Sequence, residues 1–230
     1  KKMSYIGVTG FTTVQQIEET LKTIDSGRKY MFGYLLSQKN LNGIILKNKR
    51  YTDLKTFKEM LKIKTPNIIR TIHFNAQSPG FAKELVSCNF DFDAIQFNLS
   101  FLAPNDIRAL KEAHPNIDLI FQLNKTISKK YSVEEIQNYL NEFNFKYFLY
   151  DMSGGTGRSF NIEDAINESK KYSGIKIILA GGLNHENAKD IYNLGYGVDA
   201  ESKLRDIVGE GYGNDIWNQE KVNKYILSFN

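Results

Sequence analysis

The residues best equipped for chemistry cluster in the last third of the chain. Gly181 and Gly182 follow the apolar run 175–179 in IKIILAGGLNHEN, and Asn184 then opens a segment of helical period. Paired glycines at the carboxyl end of a buried strand let a ligand approach the backbone, and the following helix start turns free N–H groups and a positive dipole end toward it. The ligand that suits such a turn is an anion, phosphate above all. A tight turn whose glycines serve geometry alone is the competing reading. Upstream, LYDMSGGTGRSF sets Asp151 at the tip of another apolar run, with Gly154, Gly155 and Gly157 behind it. A carboxyl group so placed either exchanges protons with a substrate or caps the turn with its own side chain. Downstream, GVDAESKLR puts Asp199 and Glu201 on one strand face by the period of two. They read either as proton-transfer groups or as buried anions paired with Lys203 or Arg205.

Such groups act together only if a scaffold gathers strand ends, and the rest of the chain supplies one. Short apolar runs alternate with amphipathic segments from end to end. Strands are predicted at 4–9, 30–37, the run NIIRTIHF ending near His73, AIQFNLS, DLIFQL, FKYFLYD, the 175–179 run and GVDAES. Helix signals fall between them. Thr13 with Gln16 and Ser132 with Glu135 are spaced as capping boxes, Ser78 and Pro79 read as N-cap and first residue, a helix follows from Asn161, and Gly195 reads as a stop. Leu54, Phe57 and Leu61, then Ile107 and Leu110, then Val222, Tyr225 and Phe229, each mark one apolar helix face. Eight strand-then-helix units predict an α/β chain forming a single (β/α)8 TIM-barrel domain over 1–230. An open doubly wound sheet is the alternative, but its glycine turn would follow the first strand. In a barrel, the irregular stretch 37–51 lies on the catalytic face with Lys39, Lys47, Lys49 and Arg50. It is expected to be either a mobile lid that offers a cation or a solvated basic loop.

Composition narrows the function. The chain has 230 residues, 41% of them apolar, and Lys plus Arg number 30 against 26 Asp plus Glu, for a net charge of +4. The cations are scattered, so no nucleic-acid partner is expected. A single cysteine, Cys88, leaves no intramolecular disulfide and no thiolate cluster, which fits a reducing, cytoplasmic setting. The opening KKMSYIGVTG is strand-like instead of a signal-type apolar stretch, and no run approaches the ~20 residues of a membrane helix. His73, Asp151, Asp199 and Glu201 lie near strand ends without metal-ligand spacing, so neither a metal nor a cofactor is expected.

LYDMSGGTGRSF, ILAGGLNHEN and GVDAES, with IGVTGFTT at the start and AIQFN in the middle, resemble the phosphoribosylanthranilate isomerase family. That resemblance implies a barrel enzyme in which an acid after the sixth strand opens a ribosylamine ring. It further implies a cysteine at the end of the first strand that removes a C2 proton, and backbone amides after strands seven and eight that hold phosphate. The acid falls on Asp151 and the phosphate turns on Gly181, Gly182 and Ser202. Arg50 takes the place of the arginine that receives the anthranilate carboxylate, and Gln96 and Gly155 complete the expected substrate contacts. Three departures stand out. The cysteine aligns with Ile6, the first strand-eight serine is Glu201, and the fourth-strand histidine is Asn98. With Ile6 unable to accept a proton, Glu201 is the expected replacement base, and Lys203 or Arg205 the expected cation beside it. Three functions remain open: an enzyme acting on another phosphorylated ribosyl or sugar metabolite, the isomerase itself with a substituted base, and a barrel that binds a phosphorylated metabolite or a protein partner without turnover.

Overall fold

Runs of β-branched and aromatic residues too short for helices pair side by side, and each helix-period segment packs back over the pair it joins. A computed structural model describes residues 4–151 and 161–230. Its elements run β1 (Ile6–Thr9), α1 (Val14–Leu21), β2 (Tyr30–Ser37), α2 (Gln38–Leu41), α3 (Leu54–Leu61), β3 (Ile68–Asn75), α4 (Phe81–Ser87), β4 (Ala94–Phe97), α5 (Pro104–Ala113), β5 (Asp118–Leu123), α6 (Lys125–Lys130), α7 (Val133–Glu142), β6 (Tyr147–Tyr150), α8 (Ile162–Ser169), β7 (Lys176–Ala180), α9 (Ala188–Asn193), β8 (Gly197–Ala200), β9 (Arg205–Ile207), β10 (Asp215–Trp217) and α10 (Gln219–Leu227). Strands β1 to β8 close into a parallel barrel in sequence order, the (β/α)8 fold read from the sequence. The closing seam pairs Gly7 with Asp199, so the carboxylate-bearing end of β8 lies directly beside β1.

Strand alternation sorts the side chains into two layers. Met31, Ala94, Ile120, Tyr147, Leu149, Ile178 and Ala180 fill the barrel interior. A larger cluster that includes Ile6, Val8, Phe32, Phe74, Ile95 and Leu179 lies between the strands and the helices. Among the described residues, no helix is long and apolar enough to cross a membrane.

Helix starts follow the capping signals in three places. Both capping boxes form, at Thr13 with Gln16 and at Ser132 with Glu135, and Asn161 caps α8. Helix α4 departs from expectation by starting at Phe81, two residues past Pro79, behind Gly80 at φ 92°. Its first amides are met by Asp106 of α5, which accepts from Gly80 N and Ala82 N at 3.0 Å each. A distant carboxylate thus does the work expected of Ser78. Three elements have no counterpart in the sequence reading: α2, α6, and the antiparallel hairpin of β9 and β10 in which Ile207 faces Asp215.

Candidate active site

The strand tips converge on a cavity of about 80 Å³ at the carboxyl end of the barrel. Asp151 follows β6, Asp199 lies within β8, Glu201 follows it, and Gln96 faces in from β4; all four line this cavity. Gln96 Nε2 donates to Gln122 Oε1 at 3.4 Å across the same wall. The period of two thus places Asp199 and Glu201 on one face, in the same cavity as Asp151.

Asp199 is held by its neighbours on β1 and β3. Thr9 Oγ1 donates to Asp199 Oδ1 at 2.7 Å, and His73 Nε2 stands 3.5 Å from the same hydroxyl. A hydroxyl has one proton, so the ring nitrogen is the donor in the longer contact. Two glycines make room for this arrangement. A Cβ at Gly7 would come within 2.7 Å of Asp199 Oδ1, and one at Gly33 would overlap Thr9 Oγ1 and lie 2.7 Å from His73 Nε2. Burial sets the protonation states. Desolvation pushes Asp199 up to about 8, and the charges of Glu201 and Asp151 add to the rise against the Thr9 hydrogen bond. Desolvation lowers His73 to about 4, which leaves it neutral at physiological pH.

Glu201 belongs to a different network, and here the expectation is corrected. Its partner is Arg50, with Nη1 3.1 Å from Glu201 Oε1, and not Lys203 or Arg205. Arg205 instead donates from Nε to Asp215 Oδ1 at 2.7 Å and from Nη1 to the Gly10 carbonyl at 2.8 Å. Asp215 also accepts from Arg50 Nη2 at 2.6 Å, so one carboxylate of the hairpin bridges two buried guanidinium groups. Burial alone would raise Asp215, but the hydrogen bonds from Arg50 and Arg205 outweigh it and hold the carboxyl below its ordinary value. Burial raises Glu201, and the charges of Arg50 and Arg205 offset that only in part. Arg50 is thus the buried anchor of the 37–51 stretch, where the sequence suggested either a lid offering a cation or a solvated basic loop. Lys49 N donates to the Gly213 carbonyl at 2.9 Å, which ties the same stretch to the hairpin tip.

In the turn after β7, Gly181 lies at φ 103° and Gly182 at φ 69°, left-handed conformations that favour glycine. The helix behind it does not begin where expected. Helix α9 starts at Ala188, and the amides of Asn184 and Glu186 are taken by Asn187 Oδ1 and Asn184 Oδ1 at 2.9 Å each. The Asn184 and Glu186 amides are therefore already engaged within the chain. Ser202 opens a single helical turn after β8, accepts from Arg50 Nη2 at 3.3 Å, and lines a second cavity of about 580 Å³ with Lys203, Arg205 and Lys221. The expected contact at Gly155 lies outside the described residues. No group of three or more His, Cys, Asp or Glu among the described residues is arranged to hold a metal ion.

The assignment of Ile6 also changes. Ile6 is the first residue of β1, fully buried in the layer that faces the helices. The residue at the end of that strand is Thr9, which faces the cavity through its bond to Asp199. The strand-end position given to Ile6 by the sequence thus belongs in space to Thr9, whose neutral hydroxyl is a weaker base than a thiolate or a carboxylate.

A parallel eight-stranded barrel with carboxyl groups at its mouth and a glycine turn after β7 places this chain among the (β/α)8 barrels with sites at the strand ends. Comparison with known proteins narrows that class. A sequence model of N-(5'-phosphoribosyl)anthranilate isomerase matches residues 109–205. The chain is 30% identical over 162 residues to the N-(5'-phosphoribosyl)anthranilate isomerase of Chloroherpeton thalassium, covering 64% of this chain and 71% of that one. Its fold is similar to the phosphoribosylanthranilate isomerase of Thermus thermophilus, with TM-score 0.67, 17% identity and 97% of each chain covered. It is also similar to an isomerase solved with reduced 1-(o-carboxyphenylamino)-1-deoxyribulose 5-phosphate, with TM-score 0.62, 16% identity and coverage of 99% and 98%. The chain belongs to the phosphoribosylanthranilate isomerase family.

Proposed function

We propose that the protein isomerises a phosphorylated ribosylamine from aminoaldose to aminoketose, with Asp151 as acid and Asp199 as base. Asp151 gives a proton to the ring oxygen as the bond from that oxygen to C1 breaks and the nitrogen lone pair forms a C1–N double bond. Asp199 then takes the C2 proton, and the electrons of that bond move through C1 to nitrogen. The resulting enaminol tautomerises to the C2 ketone, and solvent restores both carboxyl groups. The phosphate rests on the backbone at Gly181, Gly182 and Ser202.

The observation that carries this reading is the 2.7 Å bond from Thr9 to Asp199, at the strand-one end where the family has its proton acceptor. Glu201, the base expected from the sequence, is engaged with Arg50, so proton abstraction passes to its neighbour two residues earlier. A carboxylate that titrates near 8 is a much stronger base than an ordinary one. It gains that strength while only about a tenth of it is ionised at pH 7.

Turnover of phosphoribosylated arylamines against pH tests the assignment. The value of kcat/KM follows the acid as well as the base, so the base is read in Asp151→Asn, where the acid's own titration is gone and residual kcat/KM should rise about tenfold per pH unit up to about pH 8 and then level. Asp199→Asn and Asp151→Asn should each lower kcat/KM by at least ~10²-fold. Residual activity of Asp151→Asn that falls as pH approaches 8 would make Asp199 the acid, and activity that survives Asp199→Asn would remove it from the chemistry.

A further inference from the structure

Building on the ribosyl-phosphate reading, we infer that the substrate's end remote from its phosphate carries no carboxylate and presents a neutral or cationic hydrogen-bond donor to the barrel mouth, because the Glu201 carboxylate already faces Arg50 as its ion-pair partner.

The chain itself meets every nitrogen of that guanidinium. Nε donates to Asp215 at 3.1 and 3.2 Å, Nη2 to Asp215 at 2.6 Å and to Ser202 Oγ at 3.3 Å, and Nη1 faces Glu201 Oε1 at 3.1 Å. The Tyr212 ring covers one face, with its centroid 4.6 Å from Arg50 Cζ, and the side chain is 3% exposed. A ligand carboxylate could reach Arg50 only by displacing Glu201, which would leave two carboxylates on one buried wall. Glu201 asks for the opposite kind of ligand. Its Oε1 is buried and, although paired in charge, lacks a hydrogen bond from any described residue. Buried acceptors seek donors, so an amine, an ammonium or a hydroxyl on the ligand completes this wall where a carboxylate would oppose it.

Calorimetric titration with two reduced ligands decides the matter. One is reduced 1-(o-carboxyphenylamino)-1-deoxyribulose 5-phosphate, and the other is its phenyl counterpart without the carboxylate. The wild-type protein should bind the phenyl compound at least about tenfold more tightly, and Glu201→Ser should narrow or reverse that preference. Equal or tighter wild-type binding of the carboxyphenyl compound overturns the inference and leaves the ribosyl-phosphate reading standing. Failure of the wild type to bind either compound removes both.

Discussion

Asp199→Asn removes an ionisable group at the barrel mouth while keeping its shape, so it tests the buried acid in stability as well as in turnover. In the unfolded chain this carboxyl titrates near the ordinary 3.8, and in the folded protein near 8. The folded state therefore binds more protons between these values, and the contribution to stability has a definite sign. It is fully present below pH 4 and is lost as pH rises through 8. At ~1.4 kcal/mol per pH unit the interval sets a ceiling of roughly 6 kcal/mol. Water at the mouth and the adjoining Glu201 and Asp151 charges reduce it, and we expect about 2–3 kcal/mol between pH 5.5 and pH 8.5. His73 has the opposite sign, since its folded value near 4 lies below the ordinary 6.5, and its contribution is present above 6.5 and lost toward 4. Comparing wild type with variant at each pH cancels that contribution. Urea denaturation at pH 5.5, 7 and 8.5 should show the stability of Asp199→Asn relative to wild type rising by about 2–3 kcal/mol from the lowest pH to the highest. The same substitution should nearly abolish turnover throughout. Parallel stability curves for the two proteins would refute the raised titration of Asp199, and a wild-type advantage that grows with pH would reverse its sign.

Two further outcomes follow from the same geometry. Asp215→Ala leaves Arg50 and Arg205 buried without their shared anion, and breaking such a pair costs about 3–5 kcal/mol; thermal unfolding should fall by roughly 10 °C, with Asp215→Asn in between, and a loss under ~2 °C would show that the network contributes little. Gly182→Val forces a β-branched residue into φ 69°, so affinity for ribose 5-phosphate should drop at least about tenfold with the circular dichroism spectrum unchanged, and unaltered affinity would move the phosphate elsewhere.

Periodicity and capping made the barrel legible, because eight parallel strands and their helices are local patterns repeated along the chain. The joint between Thr9 and Asp199 was not legible, because it depends on closure between the two ends of the sequence. The family resemblance put the key position at Ile6. In space, the strand's alternation sends Ile6 toward the helices and Thr9 toward the cavity. The same limit hid the partner of Glu201. Lys203 and Arg205 are near it in sequence, but Arg205 is drawn away by Asp215 and the Gly10 carbonyl, and the cation that arrives is Arg50, delivered by a loop 151 residues earlier in the chain. What holds Arg50 there is Asp215, from a hairpin with strands of three residues each, too short to show a period. Charge pairing across long sequence separations thus decides which of two neighbouring carboxylates faces a guanidinium and which does not. The fold could be read from patterns within segments, whereas the division of labour between Asp199 and Glu201 could be read only from what surrounds each of them.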